Sequence, residues 1–279
     1  HFVRRRQRQM CIRDRLLAQN KQEDLVQYAI ATHSVYLCSQ ETLQRASDLA
    51  QRRNGRLHIH VSETRKEVAD CKEANGFYPV EYLNSIDFIQ PGTIFAHASW
   101  VKKNEIRMMA EQNVTAVHCP SSNMKLACGG TLSFPPYRDA GVDVRIGTDG
   151  AASSGNGLNL LHEARLVSLV QRHDHWDSTL LPAQEIFKMA TKGSQDWVAW
   201  DLDDIRMRPL GRSNNRHLAN LIYNGGECLD VWVNGRALRK DGITLSLDEK
   251  NIIAELDHAV ESYYCLLYTS DAADDVRSG

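Results

Sequence analysis

The chain has 279 residues, 42% hydrophobic, 24% charged and 7% aromatic, with 33 Lys and Arg against 35 Asp and Glu. That composition excludes fibrous, collagen-like and wholly disordered classes and gives one large or two modest globular domains. Balanced charge argues against general attraction to nucleic acid or membrane, no apolar run approaches the roughly 20 residues that cross a bilayer, and seven cysteines without a CxxC pair read as reduced thiols of a cytoplasmic protein.

Residues 1–15 (HFVRRRQRQMCIRDR) are Arg-rich and lack apolar periodicity, and residues 265–279 (CLLYTSDAADDVRSG) change character as abruptly. Both resemble adapter-derived peptides joined to an environmental gene fragment, so the expectation is two non-native tracts on a truncated copy of a longer protein. A basic arm and an acidic tail are the plain alternative.

Between these ends, short β-like runs alternate with helical stretches, the pattern of βα units around a parallel sheet. Strands are predicted over 28–32, 57–61, 93–97, 114–118 and 142–147, and helices over 41–53, 64–74, 79–84, 103–112 and 134–140. A longer helix over 158–172 sets Leu158, Leu161, Ala164, Arg165 and Ser168 along one side, and Pro182 opens another where proline is tolerated. Beyond Gly193 the rhythm stops. Short antiparallel strands are predicted over 218–223, 228–233 and 236–238, the last two joined at an Asn234-Gly235 hairpin turn, and a final helix over 247–263 carries Asp248 and Glu249 in its first turn.

Polar residues fall at the ends of successive strands: His60 and Glu63 in LHIHVSET, His97 in IFAHASW, His118 in AVHCPSSN and Asp149 in IGTDGAAS. In a parallel βα barrel the carboxyl ends of all strands open on one face, so these residues would converge. Neutral imidazoles with a carboxylate suit Zn²⁺ or Fe²⁺, and such a site lowers the pKa of bound water toward neutrality, which points to hydrolysis. Singly, each has a plainer reading: a strand-end His is usually a hydrogen-bonded structural residue, and Asp before Gly a turn former. His58 shares His60's side of its strand and reads as barrel wall.

The stretch 31–192 resembles the later half of an amidohydrolase-superfamily barrel, in the branch of methylthioadenosine/S-adenosylhomocysteine deaminases and triazine chlorohydrolases. HIHVSET, FAHASWV, HCPSSNMKLACGG and GTDGAASSGNGLNLLHEARL carry the resemblance in order and spacing, and residues 218–248 are similar to the β-sandwich segment that follows the barrel. The resemblance implies an α/β fold: a partial (β/α)8 TIM barrel, strands four to eight, over 21–193, then a β-sandwich remnant with a C-terminal helix over 197–264. It implies one divalent metal, zinc first and iron as the alternative, on His60 and Asp149. Glu63 would carry protons and touch the substrate, His97 would orient the water or stabilise the tetrahedral centre, and Asp149 would share in catalysis. His33 would contact the polar part of a nucleoside, and Ser153 could line the pocket. The family's first strand ends in an HxH pair supplying two more ligands, and no such strand precedes His33, so an open barrel with weak metal affinity is expected. Near Lys192 the chain runs almost directly into a sandwich strand, which points to an internal deletion.

The activity implied is metal-dependent hydrolytic deamination of an aminopurine nucleoside such as methylthioadenosine or S-adenosylhomocysteine. Hydrolysis of a triazine-like heterocycle and an inactive truncated fragment are the alternatives. The partner is a small heterocyclic molecule rather than nucleic acid or membrane, and a homo-oligomer is compatible. Arg206, Arg208, Arg212, Arg216 and His217 lack interleaved aromatics and read as a solvated basic loop rather than a nucleic-acid patch.

Overall fold

Apolar runs of Val, Ile, Ala and Phe, each closed by polar residues, form β1 (Ala29–Ser34), β2 (Arg56–Val61), β3 (Ile94–His97), β4 (Thr115–His118) and β5 (Asp143–Ile146), all parallel and ordered in space as in sequence. They belong to a computed structural model that describes residues 28–151, 154, 157–193, 196–211 and 215–275, with side chains through residue 262. Ser153, Arg212 and the tract 1–15 lie outside the described residues.

Parallel neighbours cannot be joined by a tight turn, so each pair needs a crossover. The crossovers are α1 (Gln40–Arg53), then α2 (Arg65–Asn75) with α3 (Pro79–Ser85), then α4 (Lys103–Glu111), then α5 (Pro120–Lys125) with α6 (Phe134–Ala140). Their starts follow from local chemistry. Ser39 and Thr64 accept the backbone N–H of Thr42 and Glu67, and Pro79 and Pro120 stand at first-turn positions where no N–H is needed. The short α5 is absent from the sequence-based expectation, because its apolar content is too low to show a period.

Along each strand alternate side chains turn to opposite faces. Ile30, Leu57, Ile59, Val61, Phe95, Ala116, Val144 and Ile146 join the helices in one apolar core, each large side chain there worth about 1.5–3 kcal/mol of burial. The intervening residues of β1 and β2, among them Ala31, His33, His58 and His60, are exposed or half-exposed.

After β5 come α7 (Leu160–His175) and α8 (Ala183–Thr191). The buried side of α7 is Glu163, Ala164, Val167, Ser168 and Gln171, whereas Leu158 stands 74% exposed ahead of the helix, so the stripe expected from Leu158 is displaced. A second correction concerns residues 218–223, which form part of helix α9 (Arg216–Asn224) and not a strand. Leu218, Leu221 and Ile222 recur at helical spacing, and packing against α7 and α8 buries Leu221 and Ile222. Residues 205–211 and 215–225 group with the parallel-sheet unit.

The second unit has an antiparallel sheet ordered β6 (Trp197–Trp200), β7 (Cys228–Val233), β8 (Arg236–Lys240) and β9 (Ile243–Thr244), followed by α10 (Glu249–Asp275). Asn234 and Gly235 both take positive φ, 48° and 74°, which gives the two-residue turn whose twist suits a hairpin. Trp197 and Trp232, opposite each other in register, stack with ring centroids 5.1 Å apart.

Gly147, at the exit of β5, admits no side chain: a Cβ there would lie 2.6 Å from Val117 Cγ1 and 3.1 Å from Cys119 Sγ. Gly147→Ala should therefore overpack the β4–β5 contact and cost about 1–3 kcal/mol, read as a lower urea midpoint; an unchanged midpoint would show that the two strands separate freely.

Candidate active site

Three strand exits bring their polar residues to one ring, that of His97. Nε2 of this buried imidazole lies 3.7 Å from Glu63 Oε2 and 3.7 Å from Asp149 Oδ2. The His60 ring stacks on its face at 5.4 Å between centroids, and His33 and His58 adjoin His60 at 5.0 and 5.6 Å. His33, His60, Glu63, His97 and Asp149, separated widely in the chain, thus form one cluster.

Two hydrogen bonds fix how the rings carry their protons. His60 Nδ1 meets the carbonyl oxygen of His33 at 2.7 Å; a carbonyl can only accept, so Nδ1 carries the proton and Nε2 of the neutral ring keeps a lone pair. The Asn123 amide donates to His97 Nδ1 at 3.1 Å, with Ser99 Oγ donating to the amide oxygen at 3.4 Å, so His97 turns an N–H at Nε2 toward both carboxylates. Burial lowers the His97 pKa first, and the facing Glu63 and Asp149 only partly offset it. Burial and the neighbouring His60 likewise lower His33 and His58.

Asp149 is braced at its own turn. Ser122 Oγ donates to Oδ2 and the Gly150 N–H to Oδ1, both at 2.6 Å. Burial pushes this carboxyl up, but the two hydrogen bonds and the imidazoles of His97 and His60 prevail, and its pKa is lowered. Glu63 accepts from the Cys128 thiol at 3.4 Å. Four residues here hold left-handed backbone without being glycine: Ser62 at φ 51°, His97 at 68°, Ala98 at 47° and Asp149 at 57°. Such conformations cost on the order of 1–3 kcal/mol each and gather where a fold must aim side chains.

His118, also at a strand end, lies outside this cluster. Its ring is wholly buried beside Gln171, whose amide donates to Nε2 at 3.1 Å, and Nδ1 has no partner. The contributions of Ser122, Asn123 and Cys128 are not apparent from sequence spacing alone; their signal is membership of the SSNMKLACGG tract, where polar and small residues crowd α5 and the turn after it.

As to a metal, the Nε2 lone pair of His60 and the Asp149 carboxylate are donors of the right kind for a divalent cation, and the carbonyl on Nδ1 is the usual outer partner of a ligating imidazole. Among the described residues no group of three or more His, Cys, Asp and Glu is assembled to hold an ion.

Set against known proteins, residues 6–201 match the amidohydrolase family. A 5'-deoxyadenosine deaminase from Methanothrix thermoacetophila is 36% identical over 235 residues, 80% of this chain and 56% of its own length. A 5-methylthioadenosine/S-adenosylhomocysteine deaminase from Pyrococcus furiosus is 36% identical over 252 residues, 85% of this chain and 59% of its own. This chain therefore spans little more than half of the curated relatives it matches. Among solved structures, an adenosine deaminase from Xanthomonas campestris with bound zinc superposes with a TM-score of 0.83 at 27% identity, over 91% of this chain and 61% of that one. A triazine hydrolase variant gives 0.78 at 25% identity, over 88% and 57%.

The buried His118 imidazole yields a pH dependence. Burial, with a smaller contribution from His97, lowers its pKa from 6.5 to about 3. The unfolded chain then takes up a proton before the folded one, so this stability is complete above about pH 6.5 and is lost as pH falls toward 3. His118→Gln should flatten the fall in denaturant midpoint between pH 6.5 and 4 relative to the parent chain; equal slopes would mean that the ring titrates normally.

Proposed function

Since the chain belongs to the amidohydrolase family, we propose that it derives from a cytoplasmic, metal-dependent deaminase that hydrolyses the exocyclic amine of an aminopurine nucleoside, of the 5'-deoxyadenosine or methylthioadenosine kind. The observation that carries this reading is the meeting of Glu63 and Asp149 at Nε2 of His97, with the His60 ring stacked alongside. We read the parallel sheet, whose strands follow sequence order without a switch point, as strands four to eight of a (β/α)8 barrel, and the antiparallel sheet as the remnant of a sandwich.

His60 and Asp149 would hold one divalent cation, zinc before iron. Bound there, the cation supplies Lewis acidity that makes water nucleophilic near neutral pH. The rest is the work of side chains. The oxygen of water forms a bond to the amidine carbon, and Glu63 takes its proton and passes it to the adjacent ring nitrogen. His97, with an N–H at Nε2, donates to the oxygen as charge develops there. Asp149, held ionised by Ser122 and Gly150, accepts the second proton of the water, which leaves with the amine as ammonia when the C–N bond breaks. His33, exposed at the mouth beside His60, would meet the polar part of the nucleoside.

Hydrolysis of a triazine-like ring is the second reading, supported by the likeness to a triazine hydrolase. Ammonia release from 5'-deoxyadenosine, methylthioadenosine and an aminotriazine, measured on the zinc-loaded chain, ranks the two. Zinc uptake near one equivalent with nucleoside turnover supports the proposal, and neither uptake nor turnover overturns it in favour of an inactive fragment. His60→Ala and Asp149→Ala should lose metal and turnover together, whereas Glu63→Gln should retain metal and lose about 10²–10⁴-fold in kcat. Normal turnover by Glu63→Gln would remove the proton carrier from the scheme.

A further inference from the structure

Glu67 is a buried carboxylate that the chemistry above leaves unused. It sits in the first turn of α2 and is 4% exposed, yet its oxygens point back out of the helix: Oε1 accepts the N–H of Ser62 at 2.7 Å and Oε2 the N–H of Glu63 at 2.8 Å. Its own N–H is taken by Oγ1 of Thr64, the N-cap of α2, at 3.1 Å. An ordinary cap secures the first turn of its helix. The Glu67 carboxylate grips the two residues that lead the chain out of β2, and one of them is the left-handed Ser62.

The other side of that elbow is gripped as well. The carbonyl of Ser62 accepts the N–H of Ser99 at 3.1 Å and of Trp100 at 2.9 Å, directly after the left-handed pair His97–Ala98. The exits of β2 and β3 are thereby one hydrogen-bonded piece, clamped at one end by a carboxylate. We propose that Glu67 is the positioning residue of Glu63, holding the strained β2 exit so that the Glu63 carboxylate stays against the imidazole of His97. The inference rests on the reading of Glu63 as proton carrier.

Glu105 provides an internal control. It too is buried and reaches back to backbone, accepting the N–H of Lys102 and of Val80 at 2.9 Å each, but it joins α3 to α4 away from the cluster. Gln in place of either Glu keeps the size, retains one acceptor and turns an amide N–H₂ toward the second backbone donor.

The test uses the full chain, ¹⁵N-labelled and zinc-loaded, as parent, Glu67→Gln and Glu105→Gln. Glu67→Gln should move the amide resonances of Ser62 and Glu63, keep the zinc content and lose about 10²-fold in kcat with KM little changed, as misplaced catalytic groups do. Glu105→Gln should lower the melting temperature comparably and leave both amides and kcat near the parent's. Unmoved Ser62 and Glu63 amides, or a kcat loss no larger than that of Glu105→Gln, overturns the proposal. Should the parent release no ammonia from any nucleoside, the deaminase reading fails and the kcat comparison with it, whereas unmoved Ser62 and Glu63 amides overturn the clamp itself whatever the parent's activity. If Glu67→Gln does not fold, Glu67→Asp, which keeps the carboxyl group but withdraws it by one methylene, is read in the same way.

Discussion

The hydrogen bond from Asn123 to Nδ1 of His97 decides which nitrogen of the central ring carries its proton, and the cluster is arranged around that choice. With Nδ1 occupied as an acceptor, the N–H at Nε2 faces two carboxylates 3.7 Å away. The reverse tautomer would set a lone pair against two anions, a repulsion felt strongly at a buried site. Ser99 holds the amide in the matching sense, and Asn123 is itself buried within α5. One amide on a short helix thereby orients the contact among three strand exits.

Aiming those exits requires backbone that side-chain-bearing residues rarely adopt. The positive φ values at Ser62, His97, Ala98 and Asp149 persist because each turn is tied from outside. Glu67 holds the N–H groups after β2, the Tyr137 hydroxyl donates to the Ala98 carbonyl at 2.6 Å, and Ser122 holds the Asp149 carboxylate. The partners come from α2, α6 and α5 in turn, so the helical layer does more than bury the sheet. It also fixes the strand ends, the usual division between a rigid scaffold and aimed loops in βα architectures.

This division explains what could be read in advance. The five parallel strands are legible because their apolar runs are short, β-rich and closed by polar residues, and His60 is legible as an open-face residue because it alternates with Ile59 and Val61. His97 and His118 defeat the same rule in opposite senses. By alternation both share the helix-facing side, with Phe95 and Ala116 respectively. His118 obeys and is buried against Gln171, whereas the left-handed turn at His97 carries its ring back to the cluster. Alternation reads a strand but not the dihedral at its last residue. Glu67 was illegible for a related reason: S-E-T-R-K-E spells a helix cap whether its carboxylate closes on its own turn or on the one before. The 218–223 run failed differently, since a short apolar stretch fits either period until α7 and α8 offer it a helix-sized groove.

Electrostatics couples the site to the open face of the sheet. His33, His58 and His60 lie side by side on β1 and β2, and burial together with repulsion from His60 lowers His33 and His58, while burial chiefly lowers His97. A cationic ring beside His60 would oppose the divalent cation proposed on its lone pair, so lowered pKa values at His33 and His58 would favour metal over proton there. Two carboxylates close by draw the other way, raising His97 through Glu63 and Asp149. Burial outweighs that pull, and the pKa of the ring is lowered on balance. An N–H donor at Nε2 that carries no net charge can stabilise negative charge as it forms nearby without first surrendering its proton, which is the property the proposed reaction asks of His97.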